Sequence, residues 1–230
     1  MFEDMTREIK IIVVGNGTVG KTTMLKQFAM GEQTDQYKKT VGTDFFEKEI
    51  TVSSTGDDAK LLLWDTAGQE MFKSLTQRYY KGAGAVVYAF ATDNRDSFDD
   101  LEKWMSKVEE VCGKITCVLV QNKIDLIDKA AVDPAEVEAF AKKHQIKLYR
   151  TSALKNVLID DVFDYLAEQF IAKGEDGHQA VNTMEGKTQD PDEDKEKDET
   201  TGEVKADGTV KLGPSRKRTG GKKKKFCTIL

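Results

Sequence analysis

Residues 15–22 read GNGTVGKT, which fits the pattern G-x-x-x-x-G-K-[ST]. That pattern serves one chemistry, the holding of phosphate. Gly15 and Gly20 let the backbone wrap closely around anionic oxygens. Successive N–H groups at a helix N-terminus then face those oxygens. Lys21 is placed to reach β- and γ-phosphates, and Thr22 offers a hydroxyl to Mg2+, a hard cation that prefers oxygen ligands. The motif needs a strand before it and a helix after it; IKIIVV precedes it and TTMLKQFAMG follows. Asn16-Gly17-Thr18 also spells a glycosylation sequon, which inside a phosphate loop and without a secretory signal reads as accidental.

Residues 64–70 read WDTAGQE and residues 121–125 read QNKID. Asp65 closes an apolar run and faces the magnesium, through water. Gly68 supplies an N–H for a γ-phosphate together with a hinge, and Gln69 is placed to orient an attacking water. Upstream, Thr40 in KKTVGTDF can bind Mg2+ and the γ-phosphate together, in a segment expected to order with a triphosphate and loosen after hydrolysis. Asp125 presents two acceptor oxygens, which match the paired N1–H and N2–H donors of guanine and find no such pair on adenine. A site built on that pair discriminates strongly, because the wrong base leaves buried groups unmatched. Asn122 and Lys123 hold the loops and pack along the base. The TSA at residues 151–153 ends a strand where the Ala153 N–H can meet guanine O6.

These loops need a scaffold that brings strand ends together. IKIIVV, AGAVVYAFA and ITCVLV are continuous apolar runs of the kind found in strands buried on both faces. FFEKEITV and AKLLLWD flank a turn at Gly56 and predict an antiparallel hairpin. SFDDLEKWMSKVEEVCG predicts an amphipathic helix capped by Ser97 and stopped by Gly113. DPAEVEAFAKKHQ predicts a helix opened by Asp133 and Pro134, KLYRTSA a short strand, and LIDDVFDYLAEQFIAK a last helix. The expected fold class is α/β, with a six-stranded, mostly parallel sheet flanked by about five helices. Ligands of such sheets sit at the carboxyl ends of the strands, where every motif above falls.

The order GNGTVGKT, Thr40, DTAGQE, NKID, TSA resembles the Ras superfamily of small GTPases over residues 9–173, which implies the P-loop GTPase G-domain fold. TVGTDF, WDTAGQE with Trp64, and RYYKGAGAVV resemble the Rab family within it. The resemblance implies phosphate roles for Gly17, Thr18, Val19, Gly20, Lys21, Thr22 and Thr23, and Mg2+ roles for Thr22, Thr40 and Asp65. It implies base-binding roles for Asn122, Lys123, Asp125, Ser152 and Ala153, with Leu154 beside them, and a water-orienting role for Gln69. Phe45, Trp64 and Tyr79 match the aromatic triad through which Rab proteins read effectors. The implied cofactors are GTP or GDP and Mg2+. The implied partners are an exchange factor, a GTPase-activating protein, a prenyl-binding chaperone and effectors, with slow, activator-dependent hydrolysis by a monomer that binds no nucleic acid. Three positions depart from the family pattern. Gln33 stands where an aromatic covers the guanine, Leu154 where a lysine follows Ser-Ala, and Thr43 where TIGVDF has an apolar residue. A P-loop ATPase or kinase would explain GNGTVGKT but neither Asp125 nor DTAGQE. A Ras- or Rho-type signalling GTPase, or a nucleotide-binding scaffold with little hydrolysis, stays open.

The remaining residues carry a different chemistry. The division read from composition is an extension over 1–8, the G domain over 9–173, an acidic linker over 174–221 and a basic end over 222–230. QDPDEDKEKDETTGE has too little apolar surface to offset its ordering entropy, so the linker is expected to be disordered. KKKKFCTIL then places Lys222 to Lys225 beside Cys227, and Cys227-Thr228-Ile229-Leu230 fits C-a-a-X, with leucine favouring geranylgeranyl. One lipid chain binds weakly and a second signal is needed; lysines add roughly 1 kcal/mol each near an anionic leaflet. A basic cluster could alternatively read as a nuclear signal. The net charge of −5 and pI near 5.3 therefore describe the linker more than the ends. No run of about 18 apolar residues occurs, and MFEDMTREIK lacks a signal-peptide core. Cys112, Cys117 and Cys227 show no metal-ligand spacing and suit a reducing compartment. The expected location is the cytoplasmic face of a membrane, with a cytosolic pool.

Overall fold

The computed structural model describes residues 7–31, 43–66 and 79–174. Six strands form one sheet: β1 (Arg7–Val14), β2 (Thr43–Thr51), β3 (Asp58–Thr66), β4 (Ala85–Ala91), β5 (Thr116–Asn122) and β6 (Lys147–Arg150). Their spatial order is β2-β3-β1-β4-β5-β6. All neighbours run parallel except the β2/β3 hairpin, where Phe45 lies opposite Trp64. Among the described residues the α-helices are α1 (Lys21–Met30), α2 (Arg95–Asp99), α3 (Leu101–Cys112), α4 (Pro134–His144) and α5 (Ile159–Ala172). The expectation of a mostly parallel six-stranded sheet with about five helices is met.

Alternation along β1 assigns the two faces, as the period of two requires. Ile9, Ile11 and Val13 pack with Met24, Leu25 and Phe28 of α1 and Phe163, Leu166 and Phe170 of α5. Ile12 and Val14 point to the opposite cluster, with Phe98 of α2, Leu101, Trp104 and Val108 of α3, and Val137 of α4. β4 is buried along its whole length, consistent with a central strand covered on both sides. After β1 the chain builds β2 and β3 on one side of it, and from β3 it crosses to β4 on the other. The crevice at the carboxyl end of β1 is thus the topological switch point where such sheets bind ligands.

Local capping follows the sequence with one correction. Asp133 accepts from the Ala135 N–H at 2.7 Å and Pro134 occupies the first turn of α4. Gly113 caps α3 and Gly31 caps α1. Ser97, however, is not an N-cap. The helical segment begins earlier, where Asn94 Oδ1 accepts from the Ser97 N–H at 3.0 Å, and it divides at Asp100 into α2 and α3. Asparagine caps as well as serine does, and a buried Ser97 hydroxyl turns back to the Asn94 carbonyl instead.

Candidate functional site

The phosphate loop leaves β1 at Gly15 with φ 146°, and a Cβ there would come within 2.0 Å of the Ala89 carbonyl oxygen. Only glycine lets the loop lie this close to β4. Gly20 begins α1 at φ 93°, and a Cβ there would meet Asn122 Nδ2 at 2.4 Å. Thr18, between them, takes φ 66° with a β-branched side chain, a conformation that such residues rarely adopt.

Lys21 is buried, and its ammonium donates to the carbonyls of Gly15 and Asn16, each at 2.8 Å. Burial pushes its pKa down to about 8 against an opposing pull from Asp65. A buried cation held by two loop carbonyls is poised to gain from an incoming phosphate. Thr22 Oγ1 donates to Asp65 Oδ2 at 2.5 Å. Asp65 is wholly buried, and the next residue is tied to β1 by Thr66 Oγ1 donating to the Val13 carbonyl at 2.7 Å. A hydroxyl and a carboxylate in contact beside the phosphate loop form an all-oxygen donor pair, which fits Mg2+.

On the other side of the crevice, Lys123 takes φ 59° after β5 and its ammonium lies 3.4 Å from Asp93 Oδ1. A 3-10 turn over Ile124–Lys129 carries Asp125, whose Oδ1 accepts from Ser152 Oγ at 2.5 Å. Asn122 Oδ1 accepts from the Thr151 hydroxyl at 3.2 Å and from the Ala153 N–H at 3.1 Å. For guanine O6 to take that N–H, as the sequence reading has it, Asn122 must share it or give it up. Leu154 is 41% exposed beside this loop, which closes through backbone hydrogen bonds between Ser152 and Val157. Gly17, Val19 and Thr23 lie in the phosphate loop and the first turn of α1, with Val19 buried. Gln33, Thr40, Gly68, Gln69 and Cys227 lie outside the described residues.

A family model described as Ras family matches residues 10–172. Ras-related protein Rab-13 of Rattus norvegicus is 34% identical over 165 residues, 71% of this chain and 80% of the relative. Rab-1C of Dictyostelium discoideum is 38% identical over 160 residues, covering 69% and 79%. Rab-18-B of Danio rerio is 36% identical over 173 residues, covering 74% and 83%. The chain belongs to the Ras family and is a Rab-type small GTPase.

In this Rab-type GTPase the fold brings the aromatic triad together. Phe45, 45% exposed, meets Trp64 edge-on at 5.2 Å between ring centroids, and Tyr79 lies 6.3 Å from Trp64. Lys10 backs the group, its ammonium 4.5 Å from the Trp64 ring and donating to the Lys81 carbonyl at 2.8 Å. Sequence reasoning missed Lys10 in this place, and it also missed Asn16. The Asn16 amide, set aside above as half of a sequon, is engaged through both ends with α3 and its N-terminal junction. No local signal marks these partners, because Trp104 lies 88 positions away. No helix among the described residues is long and apolar enough to cross a membrane.

Proposed function

We propose that this Rab-type GTPase works as a membrane-anchored switch that holds GDP or GTP with Mg2+ in the crevice at the carboxyl end of β1. The observation that carries this reading is the convergence there of the Lys21 ammonium, the Thr22–Asp65 pair and the Asn122/Asp125/Ser152 network. Lys21 and the loop N–H groups would bind the phosphates. Thr22 and Asp65, joined by Thr40, would hold Mg2+, which when bound neutralises charge on the β- and γ-oxygens. Asp125, its carboxylate oriented by Ser152, would accept from guanine.

Gln69 would orient the attacking water, and an activating partner would accelerate a slow intrinsic reaction. An exchange factor would reload GTP, and effectors would read the Phe45–Trp64–Tyr79 surface in vesicle traffic. Cys227 would carry a prenyl group, with Lys222 to Lys225 as the second membrane signal. A prenyl-binding chaperone would maintain the cytosolic pool. The deciding experiment loads the full chain with GDP and challenges it with competing nucleotides. GTP displaces GDP and ATP does not. Equal displacement by ATP overturns the guanine reading, and no hydrolysis of bound GTP with any activator would leave a scaffold.

A further inference from the structure

Asn16 uses its backbone and its side chain for different tasks. Its carbonyl accepts from Lys21 Nζ at 2.8 Å inside the phosphate loop. Its side chain leaves the loop altogether. Oδ1 accepts from the indole Nε1–H of Trp104 at 2.8 Å, while Nδ2 donates to Asp100 Oδ2 at 2.8 Å and, at 3.4 Å, to the Asp96 carbonyl. An indole N–H only donates and an ionised carboxylate only accepts, so the amide has one orientation.

The partners of Asn16 are themselves fixed. Trp104 is 1% exposed within the cluster that joins β1 and β4 to α3. Asp100 also accepts from Lys103 at 2.5 Å, and Lys103 first, then Asn16, hold its carboxyl below the usual range. A hydrogen bond to a charged acceptor is about twice as strong as a neutral one. The loop that Asn16 belongs to needs this support. It carries positive φ at Gly15, Thr18 and Gly20, and it must keep its N–H groups converged to hold phosphate.

We propose that Asn16 is a positioning residue for nucleotide retention, through which Asp100 and Trp104 at the head of α3 hold the phosphate loop in its binding shape. The proposal rests on the guanine-nucleotide reading above. A loop held in shape before binding loses less freedom when phosphate arrives, and it opens less often afterwards. α3 thereby becomes a handle on the site through a contact 84 positions distant in sequence.

The test is the rate at which the full-length protein releases a fluorescent GDP analogue. Asn16→Asp sets a carboxylate against that of Asp100 and is expected to speed release by about tenfold or more. The double variant N16D/D100N faces one carboxylate with one amide again and is expected to return within about threefold of the wild type. Simple loss of packing would not be repaired by that exchange. Asp100→Ala, at a side chain that reaches solvent, is expected to speed release about threefold to tenfold, and it decides the matter if N16D does not fold. Release from N16D or D100A within about twofold of the wild type overturns the proposal. So does a double variant with the wild-type unfolding midpoint that releases as fast as N16D. A wild-type protein that retains no GDP overturns the guanine reading itself, and the proposal with it.

Discussion

Asn122 Nδ2 donates to the carbonyl oxygen of Val19 at 2.9 Å, joining the end of β5 to the phosphate loop across 103 positions of sequence. The same side chain receives the Thr151 hydroxyl and the Ala153 N–H on its oxygen. One buried amide therefore holds together the three loops that would enclose phosphate and base.

Asn122→Ala strips partners from the Val19 carbonyl and the Ala153 N–H in the protein interior. Each buried group left unmatched costs about 1–3 kcal/mol. The nucleotide-free protein is expected to lose about 2–5 kcal/mol of unfolding free energy, measured by denaturant titration, together with GDP affinity. A loss below about 1 kcal/mol would show that the loops hold without this amide.

The low pKa of Lys21 predicts a pH dependence whose sign can be worked out. Burial holds Lys21 at about 8, against 10.5 in the unfolded chain, and burial also brings Lys10 to about 8. Between these values the unfolded chain binds more protons, so both lysines make the nucleotide-free fold more stable as pH rises through this window. Bound phosphate reverses the preference at Lys21 by favouring its charge. GDP affinity is therefore expected to fall above pH of about 8, approaching tenfold per unit. Isothermal titration between pH of about 7 and 9 checks this slope, and an affinity independent of pH there would contradict it.

Thr18 carries strain that glycine would relieve. A left-handed conformation costs an L-residue about 1–2 kcal/mol, and the entropy lost by glycine returns about 0.5–1 kcal/mol of that. Thr18→Gly is expected to raise the unfolding free energy of the nucleotide-free protein by about 0.5–1 kcal/mol. A lowered melting temperature would mean that the threonine side chain makes a compensating contact.

The tail gives a cellular prediction. Cys227→Ser removes the only atom in KKKKFCTIL that can take a prenyl group, leaving the lysines alone, and polybasic attraction by itself is screened by salt. The variant is expected in the soluble fraction after cell fractionation at physiological ionic strength. Continued pelleting with membranes would show that another element anchors the chain.

Much of this molecule could be read along the chain because the relevant physics is local. GNGTVGKT names its own chemistry through the spacing of Gly15, Gly20, Lys21 and Thr22 within residues 15–22. The runs IKIIVV and AGAVVYAFA announce central strands by composition, and Asp133-Pro134 starts a helix with its own atoms. Even locally there was competition. Asn94 and Ser97 both suit a cap, and burial of Ser97 decided for Asn94.

The pairings that make the site rigid had no such signature. Asn16 with Trp104 and Asp100, Asn122 with Val19, and Lys10 with Trp64 join positions between 54 and 103 apart. Motif residues could be named from sequence because each motif carries its own residue types at a fixed covalent spacing. Their partners could not. They meet only because the strand order sets β1 between β3 and β4, which brings the head of α3 and the end of β5 to the same crevice. An amide such as Asn16 is an ordinary polar side chain until that packing gives it a buried indole on one side and a carboxylate on the other.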